Sequence, residues 1–492
     1  MHRKRKLIDN EGTKPLAERN RTPPFQWRKT VSRITPKMRL VLLLGALGVL
    51  ALVVLACSST PAAAPQAQAP VVQTVVVKET SVVEKTVEKQ VQVQVTVAPN
   101  MRLVYNSYQS DPEPRKQDED LVAQFKKANP NIDIEHSIVD HEGFKQAIRT
   151  YLAASRPPDV MTWFAGNRAR FFIDKGLIMD ISDVWKQQGW DKSYPKGMQA
   201  LSTVNGKQYF VPTSYYWWAL YYNKKVMDQA GVKPPQTFDE LLAACKTLKD
   251  KGITPITIGT KAPWPAAGWF DYLNMRTNGP DFHINLMLGK EKYTDPRVAK
   301  TFDNWKKLLD AGCFIDNPTA YTWQEGLQPM IDGKAAMYLM GQFIMDSIPK
   351  DKQADFDFVR FPIIDPSVKI GEDAPTDGFF AAAKAPDPEA AKKFLAFLGS
   401  KEAQTYFAKN LQRLPTNGEV DPSIFKPETQ KGIEIIKKAD YVAQFYDRDT
   451  TPEMAEKGMA AFQDFMANPG NAQQILQNLE TERARIFAEE QK

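Results

Sequence analysis

From Met101 onwards, short β-strand patterns alternate with amphipathic helical patterns, and this order constrains the fold more than any other feature. Strand patterns cover 101–108, 132–140 and 157–166, and helical patterns cover 114–130, 141–155 and 167–178. A β-α-β-α-β order predicts the α/β class, with parallel strands joined by right-handed crossovers. Ligands in such sheets bind at the carboxyl ends of the strands. Those ends carry the aromatic or polar residues Tyr108, Asp111, Asp140, Trp163 and Asn167.

The length of 492 residues predicts more than one lobe, because a single hydrophobic core stops growing at about 250 to 300 residues. A second α/β pattern begins near residue 213. It includes a helix at 237–252, where Thr237 and Glu240 have the spacing of a capping box. We expect the Trp-rich stretch 260–273 to be a loop and the segment 414–492 to be mostly helical.

The stretch 213–223, "TSYYWWALYYN", contains six aromatic residues and no charge. A central strand buried on both faces is one interpretation of this composition. The other is a strand with one face on a ligand cleft. Side chains alternate between the two faces of a strand. In this second interpretation, the cleft face carries Ser214, Tyr216 and Trp218, and the core face carries Tyr215, Trp217 and Tyr221.

The N-terminal hundred residues differ in composition from the rest. Residues 1–40 carry a net charge of +9 within a total of +6, which leaves about −3 elsewhere and removes the argument for nucleic acid as a partner. We predict a basic segment at 1–39, a signal peptide or hydrophobic anchor at 40–56 and an extended or disordered tether at 57–100. "VLAC" resembles a lipobox that ends at Cys57, the predicted lipidation site. Met38 is an alternative start to Met1.

The chain has three cysteines, too few for a disulfide framework in a secreted protein of this length. Cys245 and Cys313 fall within or at the end of predicted helices. We expect both to be inert buried thiols, with their redox state left open.

Several blocks resemble one family closely. They include "RPPDVMTWFAGNRARFFIDKGLI", "YYNKKVMDQAGVKPPQTFDELLAACKTL", "GLQPMIDGKAAMYLMG" and "EAAKKFLAFLGSKEAQ", and together they span nearly all of 101–420. The chain is similar to the extracellular solute-binding proteins of family 1, the carbohydrate receptors of ABC importers, which include maltose-binding proteins. This resemblance implies a two-lobed periplasmic-binding-protein type II-like fold with hinge crossings and an interlobe cleft. We expect lobe 1 at 101–212 and 360–414, and lobe 2 at 213–359 and 415–492.

The resemblance also implies a ligand-binding set. A pyranose has an apolar face and a rim of hydroxyl groups, so its receptor needs flat rings together with planar polar side chains. Phe343 falls where the family usually has a tryptophan, which weakens the case for an extended maltodextrin. The predicted set adds eight residues to the five at the strand ends: Tyr216, Trp218, Trp264, Trp269, Gln342, Phe343, Asp377 and Arg413. Tyr446 and Asp447 are looser candidates.

The predicted function is a membrane-anchored, monomeric receptor that delivers a sugar or oligosaccharide to an ABC permease, without a cofactor or a metal. Ferric ion and polyamines are alternative solutes, the first because of the paired tyrosines at 215–216 and 221–222. A glycoside-active enzyme and a surface adhesin are alternatives of another class. The four histidines show no metal-binding spacing, and no serine lies in a nucleophile-elbow motif.

Overall fold

The computed structural model describes residues 101–490. The predicted basic segment, hydrophobic segment, lipidation site at Cys57 and tether lie outside the described residues. The strands are β1 Met101–Ser107, β2 Ile132–Ile138, β3 Val160–Phe164, β4 Thr203–Val204, β5 Lys207–Gln208, β6 Val211–Tyr215, β7 Trp218–Asn223, β8 Thr254–Ile256, β9 Ala335–Gly341, β10 Phe356–Val359, β11 Gly371–Asp373, β12 Thr376–Ala381, β13 Leu414–Pro415 and β14 Tyr441–Ala443.

The helices surround these strands and fill the C-terminal part of the described chain. They are α1 Pro112–Ala128, α2 His141–Ala153, α3 Asn167–Asp174, α4 Ser182–Gln187, α5 Trp190–Ser193, α6 Lys196–Ser202, α7 Lys224–Ala230, α8 Phe238–Asp250, α9 Trp264–Asn278, α10 Pro280–Met287, α11 Pro296–Asp310, α12 Trp323–Ile331, α13 Pro388–Leu398, α14 Lys401–Leu411, α15 Pro427–Lys437, α16 Tyr446–Asp449, α17 Pro452–Ala467 and α18 Ala472–Glu490. In residues 101–490, no helix is long and apolar enough to cross a membrane.

The first lobe is built on a six-stranded sheet in the order β13-β6-β12-β3-β1-β2. β1 pairs in parallel with both β2 and β3, as the alternating pattern predicts, while β12 joins β3 in the antiparallel sense. Side chains alternate between two apolar clusters, one on each face: Val160 belongs to one cluster and its neighbour Met161 to the other. The sheet is therefore buried on both sides by helices.

The second lobe is built on a four-stranded sheet in the order β10-β7-β9-β8. One large apolar cluster packs its helices against this sheet. Thr237 and Glu240 form the predicted capping box at the start of α8. The predicted loop at 260–273 is wrong: α9 begins at Trp264, with Pro265 in its first turn, and is buried on nearly every side. Burial all round removes the amphipathic period by which a helix is recognised.

The aromatic stretch is divided between the lobes. β6 ends at Tyr215 in the first sheet and β7 begins at Trp218 in the second, so the chain crosses at Tyr216 and Trp217. The interpretation as one continuous strand is therefore wrong. Tyr221 is nevertheless fully buried in the second lobe, on the predicted core side.

Two further crossings return the chain to the first lobe and back again. β11 packs with the second lobe, where Arg276 forms an ion pair with Glu372 at 2.6 Å, and β12 begins in the first sheet at Thr376. This crossing lies near 374–375, not at the predicted 360. Gly418 still bonds to Ser193 of the first lobe, which places the third crossing after 418 and not at 415.

Cys245 and Cys313 form a disulfide with a Cα–Cα distance of 5.3 Å. The expectation of two separate buried thiols is therefore wrong. Their sequence separation of 68 hid the pairing, because only the folded second lobe brings the middle of α8 beside the segment after α11.

Candidate ligand-binding site

A cavity of about 360 Å³ lies between the two lobes. Its volume is at the lower end of the roughly 300 to 1,000 Å³ that is usual for small-molecule sites. One wall comes from the first lobe, the opposite wall from the second, and the crossing segments form the rest. Motion of one lobe against the other would open or close such a cavity.

The first-lobe wall is polar and lies at the carboxyl ends of the parallel strands. Tyr108 and Asp111 follow β1, Asp140 follows β2 and Phe164 ends β3. Asp140 also caps α2, because its carboxylate accepts a 2.8 Å hydrogen bond from the backbone of Gly143. Asp140 is thus fixed by the helix that it precedes, whereas Asp111 precedes α1 without a side-chain capping bond.

The second-lobe wall is aromatic. Trp264 and Trp323 are the first residues of α9 and α12, and Phe343 lies in the turn after β9. The rings of Trp323 and Phe343 meet edge to face, with centroids 5.3 Å apart. Trp218 lies deeper and stacks on Phe445 at 4.6 Å. Half-buried, preordered rings of this kind can receive a flat apolar ligand surface.

Arg448 ties the crossing segments together at the base of the cavity. It donates to the carboxylate of Asp377 at 2.8 Å and to the hydroxyl of Tyr216 at 2.9 Å, and it lies 4.3 Å from the centre of the Phe164 ring. Burial disfavours the charge, yet the carboxylate of Asp377 keeps the pKa of Arg448 above its ordinary value. Arg448 therefore stays cationic and already paired.

A close backbone approach brings Arg448 to this place. Gly166 has a φ of +82°, and a Cβ added there would lie 2.7 Å from the carbonyl oxygen of Arg448. Glycine both tolerates this conformation and leaves room for α16 beside the loop after β3.

Two more ion pairs lie on the cavity wall. Arg413 contacts Asp346 at 3.1 Å, and burial raises the pKa of Asp346 to about 6. Lys145 contacts Glu142 at 2.9 Å. Although burial opposes the charge of Glu142, its contacts with His141 and Lys145 lower its pKa to about 2.

Most of the predicted residues line this cavity, but four do not. Trp163 is buried in the first lobe, where its ring packs among those of Phe144, Phe164 and Phe172. The side chain of Asn167 instead donates to the carbonyl oxygen of Asp449 at 2.7 Å. The predicted residues that do line the cavity are Tyr108, Asp111, Asp140, Tyr216, Trp218, Trp264, Phe343, Asp377 and Arg413.

Trp269 and Gln342 are the other two. Trp269 lies five residues after Trp264, about 140° around the helix, and is fully buried against Phe314. Gln342 donates from its side chain to the carbonyl oxygen of Leu411 at 3.0 Å. It lines a separate groove of about 990 Å³, which Trp217 also lines.

Sequence reasoning missed several residues of the cavity wall. The N-capping pattern at Thr322 could have placed Trp323 at the start of a helix. Nothing local indicates Arg448, because its partners lie 71 and 232 residues away. The missed residues include Phe164, His141, Glu142, Lys145, Trp323, Gln324, Asp346, Phe445 and Arg448. Of the looser candidates, Asp447 lines the cavity and Tyr446 is buried in the second lobe.

The sequence profile of the bacterial extracellular solute-binding proteins matches residues 110–405. The chain belongs to this family. This solute-binding protein is 29% identical to an uncharacterized ABC transporter extracellular-binding protein of Pyrococcus horikoshii, over 65% of this chain and 73% of that one. It is also 29% identical to a probable sugar-binding periplasmic protein of Mesorhizobium japonicum, over 60% and 70% of the two chains.

Among solved structures, this solute-binding protein is similar to the bacterial solute receptor AcbH. The identity is 31%, the TM-score is 0.75, and the match covers 79% of this chain and 100% of that one. AcbH is described as having an exclusive preference for β-D-galactopyranose. The two-lobed architecture and the cleft between the lobes are thus those of a known receptor class.

Proposed function

We propose that this solute-binding protein captures a sugar between its lobes and delivers it to the permease of an ABC importer. The observation that carries the proposal is the pairing of a polar first-lobe wall with an aromatic second-lobe wall across one cavity. A pyranose has the matching surfaces, since its C–H face can lie on rings while its hydroxyl groups bond to carboxylates and amides. Sugar-binding relatives and AcbH support the same assignment.

The cavity volume favours a ligand of one or two sugar rings. About 360 Å³ leaves little room for a long chain, and the preference of AcbH for a monosaccharide agrees with this size. We propose D-galactose and similar neutral monosaccharides as the first ligands to test.

Each wall has a distinct task in this proposal. Trp264, Trp323 and Phe343 receive the apolar face of the ring, whereas Asp111 and Asp140 accept hydrogen bonds from its hydroxyl groups. Tyr108, Tyr216, Trp218, Asp377 and Arg413 complete the base of the site.

Isothermal titration of the purified chain with neutral mono- and disaccharides tests the proposal directly. We expect at least one of them to bind with a 1:1 stoichiometry and to raise the unfolding temperature. Binding of spermidine or Fe³⁺ and of no sugar would replace the proposed ligand. The argument for iron from paired tyrosines is weak. Only Tyr216, out of the four tyrosines at 215, 216, 221 and 222, lines the cavity.

Binding without turnover is part of the proposal, since the relatives named above are described as binding proteins or receptors. Incubating the chain with p-nitrophenyl glycosides and with disaccharides, followed by product analysis, tests this point. Release of a monosaccharide at a rate that scales with protein concentration would contradict it.

We further propose that Cys57 carries a diacylglycerol that anchors a monomeric receptor to the cytoplasmic membrane. Mass spectrometry of the membrane-extracted N-terminus should show cleavage before Cys57 and a lipid adduct on its thiol. Cys57→Ala should release the protein from the membrane, whereas the double variant Cys245→Ala/Cys313→Ala should leave it attached. Light scattering of the detergent-extracted protein tests the monomeric state.

A further inference from the structure

The Lys and Arg side chains of the ligand cavity all form ion pairs with neighbouring carboxylates. Lys145, Arg413 and Arg448 are the Lys and Arg residues among the described residues of its wall. Lys145 pairs with Glu142 at 2.9 Å, Arg413 with Asp346 at 3.1 Å and Arg448 with Asp377 at 2.8 Å. The charge of each of these cations is therefore already offset by a carboxylate before a ligand enters the cavity.

Carboxylates outnumber these cations. Besides the three paired acids, the wall contains Asp111, Asp140 and Asp447. Asp447 pairs with Arg168, which lies outside the wall. Asp111 accepts from the amide of Gln324, and Asp140 accepts from the backbone of Gly143, so neither is neutralised by a cation among the described residues. The wall around a bound ligand is thus net negative.

We propose that these internal ion pairs make the site select neutral and amino sugars and reject sugars that carry a carboxylate. The inference rests on the proposed function and deepens it. A uronic acid would lose the hydration of its carboxylate on entering the cavity, would find each guanidinium already bonded, and would meet unpaired aspartates. An ammonium group at the same position would meet those carboxylates favourably.

Asp346 is the specificity-determining residue in this arrangement. Among the described residues, its carboxylate bonds to Arg413 alone. Arg413 is 6% exposed and lines the cavity, so removing the charge of Asp346 would leave a buried guanidinium facing the ligand. Asp346 positions Arg413 and masks its charge, and it need not touch the sugar.

The test compares D-galactose, D-galacturonate and D-galactosamine, with the corresponding glucose series in parallel, by isothermal titration of the purified chain. For the wild type we expect the uronate to bind at least tenfold more weakly than the neutral sugar, and the amino sugar to bind within threefold of it or more tightly. Raising the salt concentration should narrow the gap between uronate and neutral sugar.

Asp346→Asn should reduce the ratio of uronate to neutral-sugar dissociation constants at least threefold, and Asp346→Glu should restore it. The matched control is Asp140→Asn, which removes the same charge and keeps the N-cap but frees no cation. We expect it to change the ratio by less than half as much. A general loss of affinity cancels in the ratio of the two dissociation constants. Circular dichroism establishes that each variant is folded.

The outcomes separate the two proposals. If a neutral sugar and its uronate bind equally well, the proposed selectivity is wrong, but the proposed function as a sugar receptor still holds. Equal effects of Asp346→Asn and Asp140→Asn overturn the role of Asp346. Binding of no sugar at all overturns the proposed function, and the selectivity with it.

Discussion

The side-chain amide of Gln324 donates a 3.2 Å hydrogen bond to the carboxylate of Asp111 and so joins the second lobe to the first across the ligand cavity. Gln324 lies in the first turn of α12, and Asp111 directly precedes α1. This contact exists only when the lobes are close together, so it belongs to the closed arrangement.

Gln324→Ala should therefore weaken ligand binding by increasing the rate of dissociation. A net hydrogen bond contributes about 0.5 to 1.5 kcal/mol, and partial exposure favours the lower end, so we expect a roughly two- to fivefold loss. Stopped-flow fluorescence measures the dissociation rate. Gln328→Ala is the control, because Gln328 lies on the same helix and bonds instead to Asp332. Equal effects of the two variants would contradict a closing role for Gln324.

Trp323→Ala should weaken sugar binding, because it removes a ring from the aromatic wall. Aromatic contacts contribute on the order of 0.5 to 1.5 kcal/mol beyond buried area, which corresponds to a roughly two- to tenfold loss of affinity. Trp323→Phe keeps a ring at the start of α12 and should retain most of the affinity. Titration calorimetry on both variants distinguishes the loss of a ring from a general disturbance of the helix.

Loss of the Cys245–Cys313 disulfide should destabilise the second lobe. A cross-link that closes a loop across a sequence separation of 68 removes about 4 kcal/mol of unfolded-state entropy in the chain-entropy model, with about 2 to 5 kcal/mol expected in practice. Urea unfolding of Cys245→Ser/Cys313→Ser should show a lower midpoint than the wild type. A reducing agent should lower the midpoint of the wild type alone. A wild-type midpoint that does not respond to reduction would argue against the cross-link.

Stability should rise as the pH falls from about 8 to about 5. Burial raises the pKa of Asp346 to about 6 and that of Asp449 to about 7, from an ordinary value near 3.8. Between these values the folded chain holds protons that the unfolded chain has lost, so each pH unit of acidification favours folding. Buried His283, whose pKa burial lowers to about 3, opposes this trend below its ordinary value of 6.5.

The measurement is the free energy of unfolding in urea at each pH from 5 to 8. Asp449→Asn should flatten the profile between pH 5 and 7, because the amide keeps a hydrogen-bond acceptor for the backbone of Gln444 without titrating. An unchanged slope in this variant would show that Asp449 does not titrate in that range.

Local patterns predicted the elements that depend on local physics. The capping box at Thr237 and Glu240 appears as expected, and β1 pairs in parallel with β2 and β3 as the alternating order predicts. The carboxyl ends of β1 and β2 supplied Asp111 and Asp140 to the cavity, because parallel strands bring such residues to one sheet edge.

Other features depend on tertiary context that no local pattern contains. The sequence of α9 resembles a loop, because burial on nearly every side removes the apolar stripe by which a helix is recognised. Arg448 follows the third crossing and lies far in sequence from its hydrogen-bond partners Asp377 and Tyr216. Residue type favours Trp163 over Phe164, but only the packing of the folded first lobe determines that Phe164 lines the cavity while Trp163 is buried.

The crossing at Tyr216 and Trp217 has a consequence for how such a chain can diverge. The two adjacent rings face different spaces, Tyr216 the ligand cavity and Trp217 the groove that Gln342 also lines. Inserting or deleting one residue here would exchange the two rings and also shift the register of β7 against β9, which begins at Trp218 opposite Gly341. Substitutions at this crossing can accumulate one at a time. The number of residues in the crossing, however, is constrained by the ligand cavity, by the groove and by the register of the second-lobe sheet.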